Sequence, residues 1–460
     1  MPDAADLGVL EAAELLRSRQ LSSAELTDAC LRRIEERNGG PPTLDGAPEA
    51  VNAWVRLYPD LAREQATKAD ERRARDGDAT PPLCGIPIGV KDLYAVQGLP
   101  LTASSRVLDP DAPAANDCVA WAALREQGMV LLGHTHTHEF AAGGTTDQVG
   151  NPHALHLIAG GSSGGSAAAL AARMTPVALG SDTCGSLRIP SACCGTCAIK
   201  PTYGRISLDG IIPLGPSLDH PGPMARTVAD CAAVLDAMAG MGALPLKPRS
   251  GPSPLDGVTV ALTDRVTQNQ MKDEVTRGYE QAITACERLG ARVVEIAAPA
   301  RLDWDDLSTV LMTEVWAYHR AHADRHDRYR EQVAEFIEAA SNFTDDAAYA
   351  AAQTRRSELT AAWERWFAEH GIDAVLEPTL PILPLERGPG YERGHPAGPG
   401  DPLIAFTALW DMTGMPVVAL PVSWPVGMSL AAPRGHEVQL TQIAIDVQEH
   451  ALGVPGDPLS

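Results

Sequence analysis

The sequence lacks the features of a membrane protein and of a nucleic-acid-binding protein. No apolar run reaches the ~18–20 residues that a helix needs to cross a bilayer. Basic residues are too few to cover a phosphate backbone, because 37 lysines and arginines stand against 59 aspartates and glutamates, for a formal net charge of −22. The acidic N-terminus has neither the basic segment nor the small-residue cleavage site of a signal peptide. We therefore expect a cytoplasmic protein that binds neither membranes nor nucleic acids.

Cysteine and histidine occur, but not in the patterns that bind metals. The nine cysteines are an odd number, which fits a reducing compartment better than a disulfide framework. Cys194 and Cys197 form a CxxC motif, yet no second pair and no histidines at ligand spacing follow. His134, His136 and His138 alternate along a predicted strand without an accompanying carboxylate cluster. We interpret all five as packing residues and expect neither a metal nor a cofactor.

Helical and strand patterns alternate along the chain without an internal repeat or a Pro/Gly/Ser-rich linker. A capping box, Ser22 with Glu25, opens an early helix. The run "GIPIGVK" (85–91) is short, apolar and rich in β-branched residues, which predicts a buried strand. Residues 303–370 carry no strand pattern and are predicted to form a helical insertion. The alternation indicates an α/β fold, and the lack of a linker indicates one large domain.

The stretch "IAGGSSGGSAAA" (158–169) places four glycines and three serines in seven positions, directly before small helix-forming residues. A phosphate-binding loop would need a lysine after the glycines, and a dinucleotide fingerprint would need another glycine spacing, so nucleotide binding is disfavoured. Residues 160–164 do match the G-x-S-x-G nucleophile elbow of α/β-hydrolases. That alternative needs a downstream acid and histidine, and His395, His436 and His450 lie in no recognisable context. We keep it as the weaker alternative.

A third arrangement uses two serines and one lysine. Ser186 lies 24 residues after Ser162 and also follows a glycine. Lys91 ends the apolar run, and a lysine in a buried strand loses hydration, which lowers its pKa and lets it act as a base near neutral pH. The lysine can then deprotonate one serine, which deprotonates the other, so that the three form a hydrolase without histidine. Glycines beside both serines let backbone N–H groups form an oxyanion hole.

Five motifs carry a resemblance to a known family: "PLCGIPIGVKD" (82–92), "HEFAAGGTTDQVGNP" (138–152), "IAGGSSGGSAAA" (158–169), "ALGSDTCGSLRIPSACCGTCAIKPTYGRIS" (178–207) and "SLDHPGPMARTVAD" (217–230). With these motifs the chain resembles the amidase signature family. The resemblance implies an α/β fold with a central mixed β-sheet of about ten or more strands flanked by helices on both faces. It also implies a single amidase domain, 1–460, with a signature core at about 80–230, a helical substrate-pocket insertion at about 303–370 and C-terminal strands at about 371–435.

The Ser–cisSer–Lys triad of that family is carried over onto three residues of this chain. Ser186 is implied to be the nucleophile that forms an acyl-enzyme, Ser162 to be the bridging serine after a cis peptide bond, and Lys91 to be the base. The same resemblance implies an oxyanion hole, supporting residues and part of the substrate pocket. These are the backbone N–H groups of Thr183, Cys184, Gly185 and Ser186, the supporting residues Ser163, Asp92 and Arg188, and the pocket residues Gly144, Thr145 and Thr146.

The function implied by the resemblance is hydrolysis of the C–N bond of a small-molecule linear amide by a serine amidase. Cys184 departs from the glycine that is usual in the family, and we expect the change to be tolerated because the position acts through its backbone. Two alternatives stay open within the fold: a glutaminase A-type subunit of a tRNA-dependent amidotransferase, and an acyl transferase that uses the same acyl-enzyme. A homodimer and the identity of the amide also stay open.

Overall fold

One mixed β-sheet runs through the part of the chain that the computed structural model describes, residues 3–242, 244–388 and 400–459. Its strands are β1 (Trp54–Leu57), β2 (Pro87–Lys91), β3 (Val130–Thr135), β6 (Val177–Asp182), β7 (Cys197–Lys200), β8 (His220–Ala225), β9 (Thr259–Leu262), β10 (Arg292–Glu295), β11 (Ala374–Pro378), β12 (Val417–Ser423) and β13 (Val426–Ala431). Two short strands, β4 (Gly150–Asn151) and β5 (Ala154–Ile158), pair separately. The order in the large sheet is β1-β3-β2-β6-β8-β7-β12-β13-β11-β9-β10. Residues 389–399 of the predicted C-terminal segment, which include His395, lie outside the described residues.

Three adjacent parallel strands of this sheet, β2, β3 and β6, are completely buried. β2 pairs in parallel with β3 on one side and with β6 on the other, and every residue of these three strands is buried. Parallel strands that are covered on both faces have continuous apolar sequences instead of alternating ones, which is why the run 85–91 predicts its strand. The carboxyl ends of the three strands meet at one edge of the sheet, where ligands bind in open α/β sheets.

Helices flank the sheet on both faces, as the resemblance implies. The early helix begins with the predicted capping box, in which Ser22 and Glu25 bond each other's backbone N–H groups. None of the helices in the described ranges combines the length and the apolar character that a membrane span requires. The helices are α1 (Val9–Arg17), α2 (Ser23–Arg37), α3 (Pro59–Asp76), α4 (Val119–Gln127), α5 (Gly164–Ala171), α6 (Arg188–Cys194), α7 (Val228–Ala239), α8 (Asp273–Arg288), α9 (Trp304–His319), α10 (Glu331–Ala340), α11 (Asp346–His370), α12 (Ala408–Met412) and α13 (Glu437–Val447).

The helical block 303–370 stands between β10 and β11, so it is inserted between two strands of the same sheet. Its last helix, α11, is anchored by aromatic packing. Trp363 and Phe367 are buried in a second hydrophobic cluster with Trp410 of α12, and the ring centroids of Trp363 and Trp410 are 5.0 Å apart. Aromatic side chains bury large areas, so this cluster fixes the insertion to the sheet.

Candidate active site

The side chain of Lys91 lies at the centre of three serine hydroxyl groups. Its Nζ is 2.8 Å from Ser162 Oγ, 2.9 Å from Ser163 Oγ and 2.9 Å from Ser181 Oγ. All four residues are buried, and no carboxylate of the described residues forms an ion pair with the amine. The structure therefore brings together Lys91, Ser162 and Ser163, and it adds Ser181, which sequence reasoning missed.

Strand pairing explains how these groups meet. β2 and β6 are parallel neighbours, with Val90 opposite Leu179, so Lys91 at the end of β2 lies beside the last residues of β6, where Ser181 stands. The Gly/Ser turn then leads into α5, which packs on the same strands. Ser181 could have been found from the sequence, because it follows the buried run "VALG" just as Lys91 follows "IPIGV", but only once the two strands had been assigned as neighbours.

Burial changes the ionisation of the Lys91 amine. Loss of hydration lowers the pKa of Lys91 from its usual value of 10.5 to about 7, although the more distant negative charges of Asp182 and Asp219 oppose this shift. Hydroxyl groups solvate an ammonium ion far less well than a carboxylate counter-ion would. A substantial fraction of Lys91 is therefore uncharged at neutral pH.

The segment before the Gly/Ser turn holds that turn in place. The Gly161–Ser162 peptide bond is cis. A Cβ atom on Gly161 would lie 1.8 Å from the Thr145 backbone oxygen, so only glycine allows this close approach. Thr146 Oγ1 donates to the Ser162 backbone oxygen at 3.2 Å. The resemblance implies that Gly144, Thr145 and Thr146 all line the substrate pocket. In the structure Gly144 lines a pocket, whereas Thr145 and Thr146 lie behind the turn and support it.

Ser186 lies on the loop between β6 and α6, which we call the nucleophile loop (183–187). The Ser163 N–H donates to the Ser186 backbone oxygen at 3.3 Å and so connects this loop to the Gly/Ser turn. Ser186 is 6% exposed, and it borders the same pocket as Gly144. The predicted nucleophile is therefore nearly buried and lines the pocket.

Three of the four predicted oxyanion donors form no backbone hydrogen bond within the described residues. The N–H groups of Thr183, Cys184 and Ser186 have no acceptor among the described residues. The N–H of Gly185 instead donates to Asp182 Oδ1 at 2.5 Å. Gly185 has φ +135°, and a Cβ atom there would lie 2.5 Å from Thr407 Oγ1, so the position requires glycine for the shape of the loop.

Asp182 and Arg188 form the support beneath the nucleophile loop. Asp182 accepts from the Leu187 N–H at 3.1 Å and from two guanidinium nitrogens of Arg188 at 2.8 and 2.9 Å. Arg188 also donates to Asp411 at 2.6 Å and to the Thr407 backbone oxygen at 3.0 Å. Burial alone would lower the pKa of Arg188, but the two carboxyl groups outweigh it and raise the pKa. Arg188 is thus bound within the scaffold and does not line the pocket.

Asp219, another residue that sequence reasoning missed, connects the nucleophile loop to the insertion. It accepts from Thr183 Oγ1 at 2.6 Å and from the Leu214 N–H at 3.0 Å. Burial raises the pKa of Asp219 to about 7, against the opposing effect of the Thr183 hydrogen bond. Two residues earlier, the Ser217 N–H donates to Glu314 of α9 at 2.8 Å. The motif "SLD" (217–219) therefore contacts both the nucleophile loop and α9.

The pocket at Ser186 spans about 670 Å³ of space, including open solvent at its mouth. One side is the nucleophile loop, and the other is mostly the helical insertion, which the resemblance assigned to the substrate pocket. Ile189 and Leu214 add apolar surface near the nucleophile, and Ile404 and Asp401 close another side. The insertion contributes Leu307, Ser308, Leu311, Met312 and Phe336.

Cys184 belongs to this lining, but its thiol is poorly suited to chemistry. Burial, with the negative charges of Asp411 and Asp182, raises the pKa of Cys184 well above its usual value, so the reactive thiolate is disfavoured. Its backbone oxygen accepts a hydrogen bond from Thr407 Oγ1 at 2.5 Å. The residue acts in the structure through its backbone and as a wall of the pocket.

Asp92, the predicted supporting residue after Lys91, organises the turn that follows β2. It is fully buried and accepts from Thr102 Oγ1 at 2.6 Å and from the Ser104 N–H at 2.7 Å. Ser104 has φ +51°, an unusual conformation for a residue other than glycine. Its hydrogen bond to Asp92 helps to fix that conformation, and so Asp92 supports the turn and does not itself line the pocket.

The histidines of "GHTHTHEF" bond to separate neighbours. His134 Nδ1 lies 3.0 Å from Tyr58 OH, and His136 Nε2 lies 2.9 Å from the Thr43 backbone oxygen. His138 is also buried and hydrogen-bonded to backbone. Within the described ranges, no group of three or more His, Cys, Asp or Glu side chains is arranged to hold a metal ion.

The chain is similar to known proteins over nearly its whole length. Residues 25–441 match the family model described as Amidase. The A-type subunit of glutamyl-tRNA(Gln) amidotransferase from Roseiflexus castenholzii is 33% identical over 95% of this chain and 94% of its own length. The solved peptide amidase of Stenotrophomonas maltophilia is 28% identical, with a TM-score of 0.81 over 98% of both chains. The structure of 6-aminohexanoate cyclic dimer hydrolase with its substrate is 27% identical, with a TM-score of 0.84 over 100% of both chains. The chain belongs to the amidase family, the enzymes that carry the amidase signature.

Proposed function

We propose that the protein hydrolyses a carboxamide through an acyl-enzyme on Ser186, with Ser162 and Lys91 as a proton relay. The main support is the environment of Lys91, a fully buried amine that contacts three hydroxyl groups and has a pKa of about 7. A buried lysine that serves only stability normally holds a carboxylate. A shell of hydroxyl groups fits an amine that works in its neutral form, as a base does.

The hydrogen atoms around Lys91 support the direction of the relay. A neutral amine has two N–H donors and one lone pair, so one of the three hydroxyl groups donates to the nitrogen. Ser163 is already a donor, because its Oγ donates to the Ser181 backbone oxygen at 3.2 Å. The hydroxyl that donates to the lone pair of the amine is therefore that of Ser162 or Ser181. Of these two, Ser162 lies on the Gly/Ser turn, which is hydrogen-bonded to the nucleophile loop.

In the proposed acylation, Ser186 Oγ attacks the amide carbon while its proton moves to Ser162 Oγ and the Ser162 proton moves to Lys91 Nζ. The N–H groups of Thr183, Cys184 and Ser186 have no acceptor among the described residues and would stabilise the oxygen that becomes negative. The relay then returns the proton to the leaving nitrogen, the C–N bond breaks and an ester remains on Ser186. Water cleaves this ester by the same proton path and releases the acid.

The curated relatives favour a second function, that of a glutaminase subunit. Proteins that are 31–33% identical over at least 94% of their own length carry the name of the A-type subunit of glutamyl-tRNA(Gln) amidotransferase. In that role the acyl-enzyme would carry a glutamyl group, and the released ammonia would pass to a partner protein. The same triad serves both functions, so the choice between them depends on the substrate and on the partner.

The first experiment tests the acyl-enzyme. Ser186→Ala is expected to abolish turnover of a panel of aliphatic, aryl and dicarboxylic amides that includes glutamine, and intact-mass measurement of the wild type should detect an acyl adduct that the variant lacks. Ser308→Ala removes another hydroxyl from the same pocket and should retain most of the activity. Full turnover by Ser186→Ala would reject the proposal.

A second pair of measurements separates the alternatives. Activity on glutamine that needs a co-purified protein partner would support the glutaminase role, whereas turnover of other amides by the chain alone would support the amidase. Added hydroxylamine reports on acyl transfer. Hydroxamate formed at the expense of the acid would show that the acyl group on Ser186 can be passed to an amine.

A further inference from the structure

We propose that the pocket at Ser186 selects neutral, hydrocarbon-rich acyl groups and rejects acyl groups that carry a carboxylate, with α9 and α10 setting this preference. The proposal rests on the proposed acyl-enzyme function and adds the class of substrate to it. It follows from which side chains of the described residues line the pocket.

The wall opposite the nucleophile loop is mostly hydrocarbon. Leu307, Leu311 and Met312 of α9 lie on one helix face, and Phe336 of α10 extends the surface. Ile404 completes it from the segment before α12. A substrate chain that covers this wall removes apolar surface from water, which contributes roughly 25 cal/mol for each Å² buried.

The polar groups of the pocket offer little to an anion. The Thr183 hydroxyl is occupied as a donor to Asp219, and the Cys184 thiol is a weak donor. Ser308 is the remaining hydroxyl of the insertion, and Asp401 brings a carboxyl group. No lysine, arginine or histidine lines the pocket among the described residues. A carboxylate would therefore lose its hydration without gaining a cationic partner.

Arg188, a fully buried cation next to the nucleophile loop, is unavailable as a partner for a substrate carboxylate. Arg188 follows the nucleophile by two residues, but its guanidinium is held by Asp182, Asp411 and the Thr407 backbone oxygen. It does not line the pocket. Recruiting it to a substrate would break the bonds that shape the nucleophile loop.

The wall is also fixed relative to the nucleophile. Glu314 lies on α9 and accepts from the Ser217 N–H, while Asp219 of the same segment accepts from Thr183. Ser217 Oγ and Tyr349 OH also donate to Glu314. α9 is thus linked to the nucleophile loop through residues 217–219, and this link fixes the position of its apolar face relative to the acyl group.

A matched pair of amides tests the preference. Pentanamide and glutaramate have the same number of carbons, but glutaramate ends in a carboxylate where pentanamide ends in a methyl group. Wild-type kcat/KM is expected to be on the order of 100-fold higher for pentanamide, since the carboxylate would be desolvated without a partner. A preference for glutaramate or glutamine would overturn the inference and leave the acyl-enzyme intact.

Two arginine variants test whether α9 sets the preference. Met312→Arg places a cation in the pocket lining, whereas Thr313→Arg places the same charge on the next residue, which does not line the pocket. Met312→Arg should reduce the preference for pentanamide at least tenfold, and Thr313→Arg should leave it unchanged. Equal effects of both variants would overturn the inference, because they would indicate a long-range charge effect.

Phe336→Ala provides a test that does not depend on how Met312→Arg folds. Removing the ring should lower kcat/KM for pentanamide several-fold more than for acetamide, whose acyl group is too short to cover the wall. Equal losses on both amides would overturn the role of α10. If no amide is hydrolysed and Ser186 forms no adduct, the proposed function itself is wrong, and this outcome is distinct from a reversed preference.

Discussion

Lys91 and Arg188 are both fully buried cationic side chains beside the same loop, but they have opposite partners. Arg188 is surrounded by the carboxyl groups of Asp182 and Asp411, and its pKa is raised. Lys91 is surrounded by hydroxyl groups, and burial lowers its pKa to about 7. The comparison shows that one fold can bury two basic side chains in different ways: Arg188 is paired with carboxyl groups and holds the scaffold, whereas Lys91 has only hydroxyl partners, the environment on which the proposed proton transfer rests.

Lys200 sharpens this comparison, because burial lowers its pKa to about 7 as well. Its Nζ donates to the Pro201 backbone oxygen at 3.3 Å and forms no hydrogen bond with a serine of the described residues. A low pKa is therefore shared by two buried lysines, whereas contact with Ser162 belongs to Lys91. Proximity to a reacting hydroxyl group, more than the pKa, distinguishes the proposed base.

The largest expected effect on kcat comes from replacing one of the two buried lysines, Lys91, and Lys200 serves as the control. Lys91→Met should lower kcat by at least about 10³-fold, because general-base catalysis is lost. Lys200→Met removes a similar buried amine and should lower kcat far less. Steady-state kinetics on the best amide, with circular dichroism to check folding, measures both. Equal losses would contradict the assignment of Lys91.

Arg188→Met tests the paired cation. The substitution leaves Asp182 buried without its counter-ion, so we expect the free energy of unfolding to fall by about 3–5 kcal/mol. Arg63 pairs with Asp28 at a half-exposed site, and Arg63→Met should cost less than about 1 kcal/mol. Urea unfolding compares the two variants. Similar losses in both would show that Arg188 does not support the nucleophile loop.

The pH dependence follows from the pKa of Lys91. Only the neutral amine accepts a proton, so kcat should rise about tenfold per pH unit below about pH 7 and level off above it. The free energy of unfolding also depends on Lys91. Between about pH 7 and pH 10.5, Lys91 is protonated in the unfolded protein but not in the folded one. The folded protein therefore becomes more stable as the pH rises through this window. Lys91→Met should remove this part of the rise, which denaturation at about pH 7 and about pH 10 would detect.

Asp219→Asn is expected to have a smaller effect with a specific signature. Asp219 positions Thr183 and also raises the pKa of Lys91 by its charge. The variant should lower kcat on the order of tenfold and shift the acidic limb of the pH profile to lower pH. Asp209→Asn removes an exposed charge and should leave the limb unchanged. If the acidic limb of the pH profile is the same in Asp219→Asn as in the wild type, Asp219 has only a packing role.

The smallest effect is expected at Cys184. Cys184→Gly keeps the backbone N–H, so kcat/KM should change by less than about threefold. Iodoacetamide should also inactivate the wild type slowly, because burial keeps the thiol protonated. Rapid inactivation that Cys184→Gly prevents would show that the thiol is reactive.

Local sequence patterns were sufficient for the elements that carry Lys91 and the Gly/Ser turn. β2 is a continuous apolar run, and α5 begins within the glycines. Ser181 and Asp219 were missed because their roles depend on strand neighbours and on a loop far away in sequence. The strand–helix–strand unit β9–α8–β10 was not predicted either, since its strands are only four residues long. The hydrogen bond that occupies the Gly185 N–H depends on side-chain geometry, which no spacing reveals.

The bond between Glu314 and Ser217 has a practical consequence for engineering. A designer who transplants residues 303–370 from a relative to change the amide that is processed would also replace the acceptor of the Ser217 N–H. Such a chimera would need either to retain Glu314 or to import its own version of residues 214–219. Activity of the hybrid enzyme would then depend on compatibility at this junction as well as on the new wall.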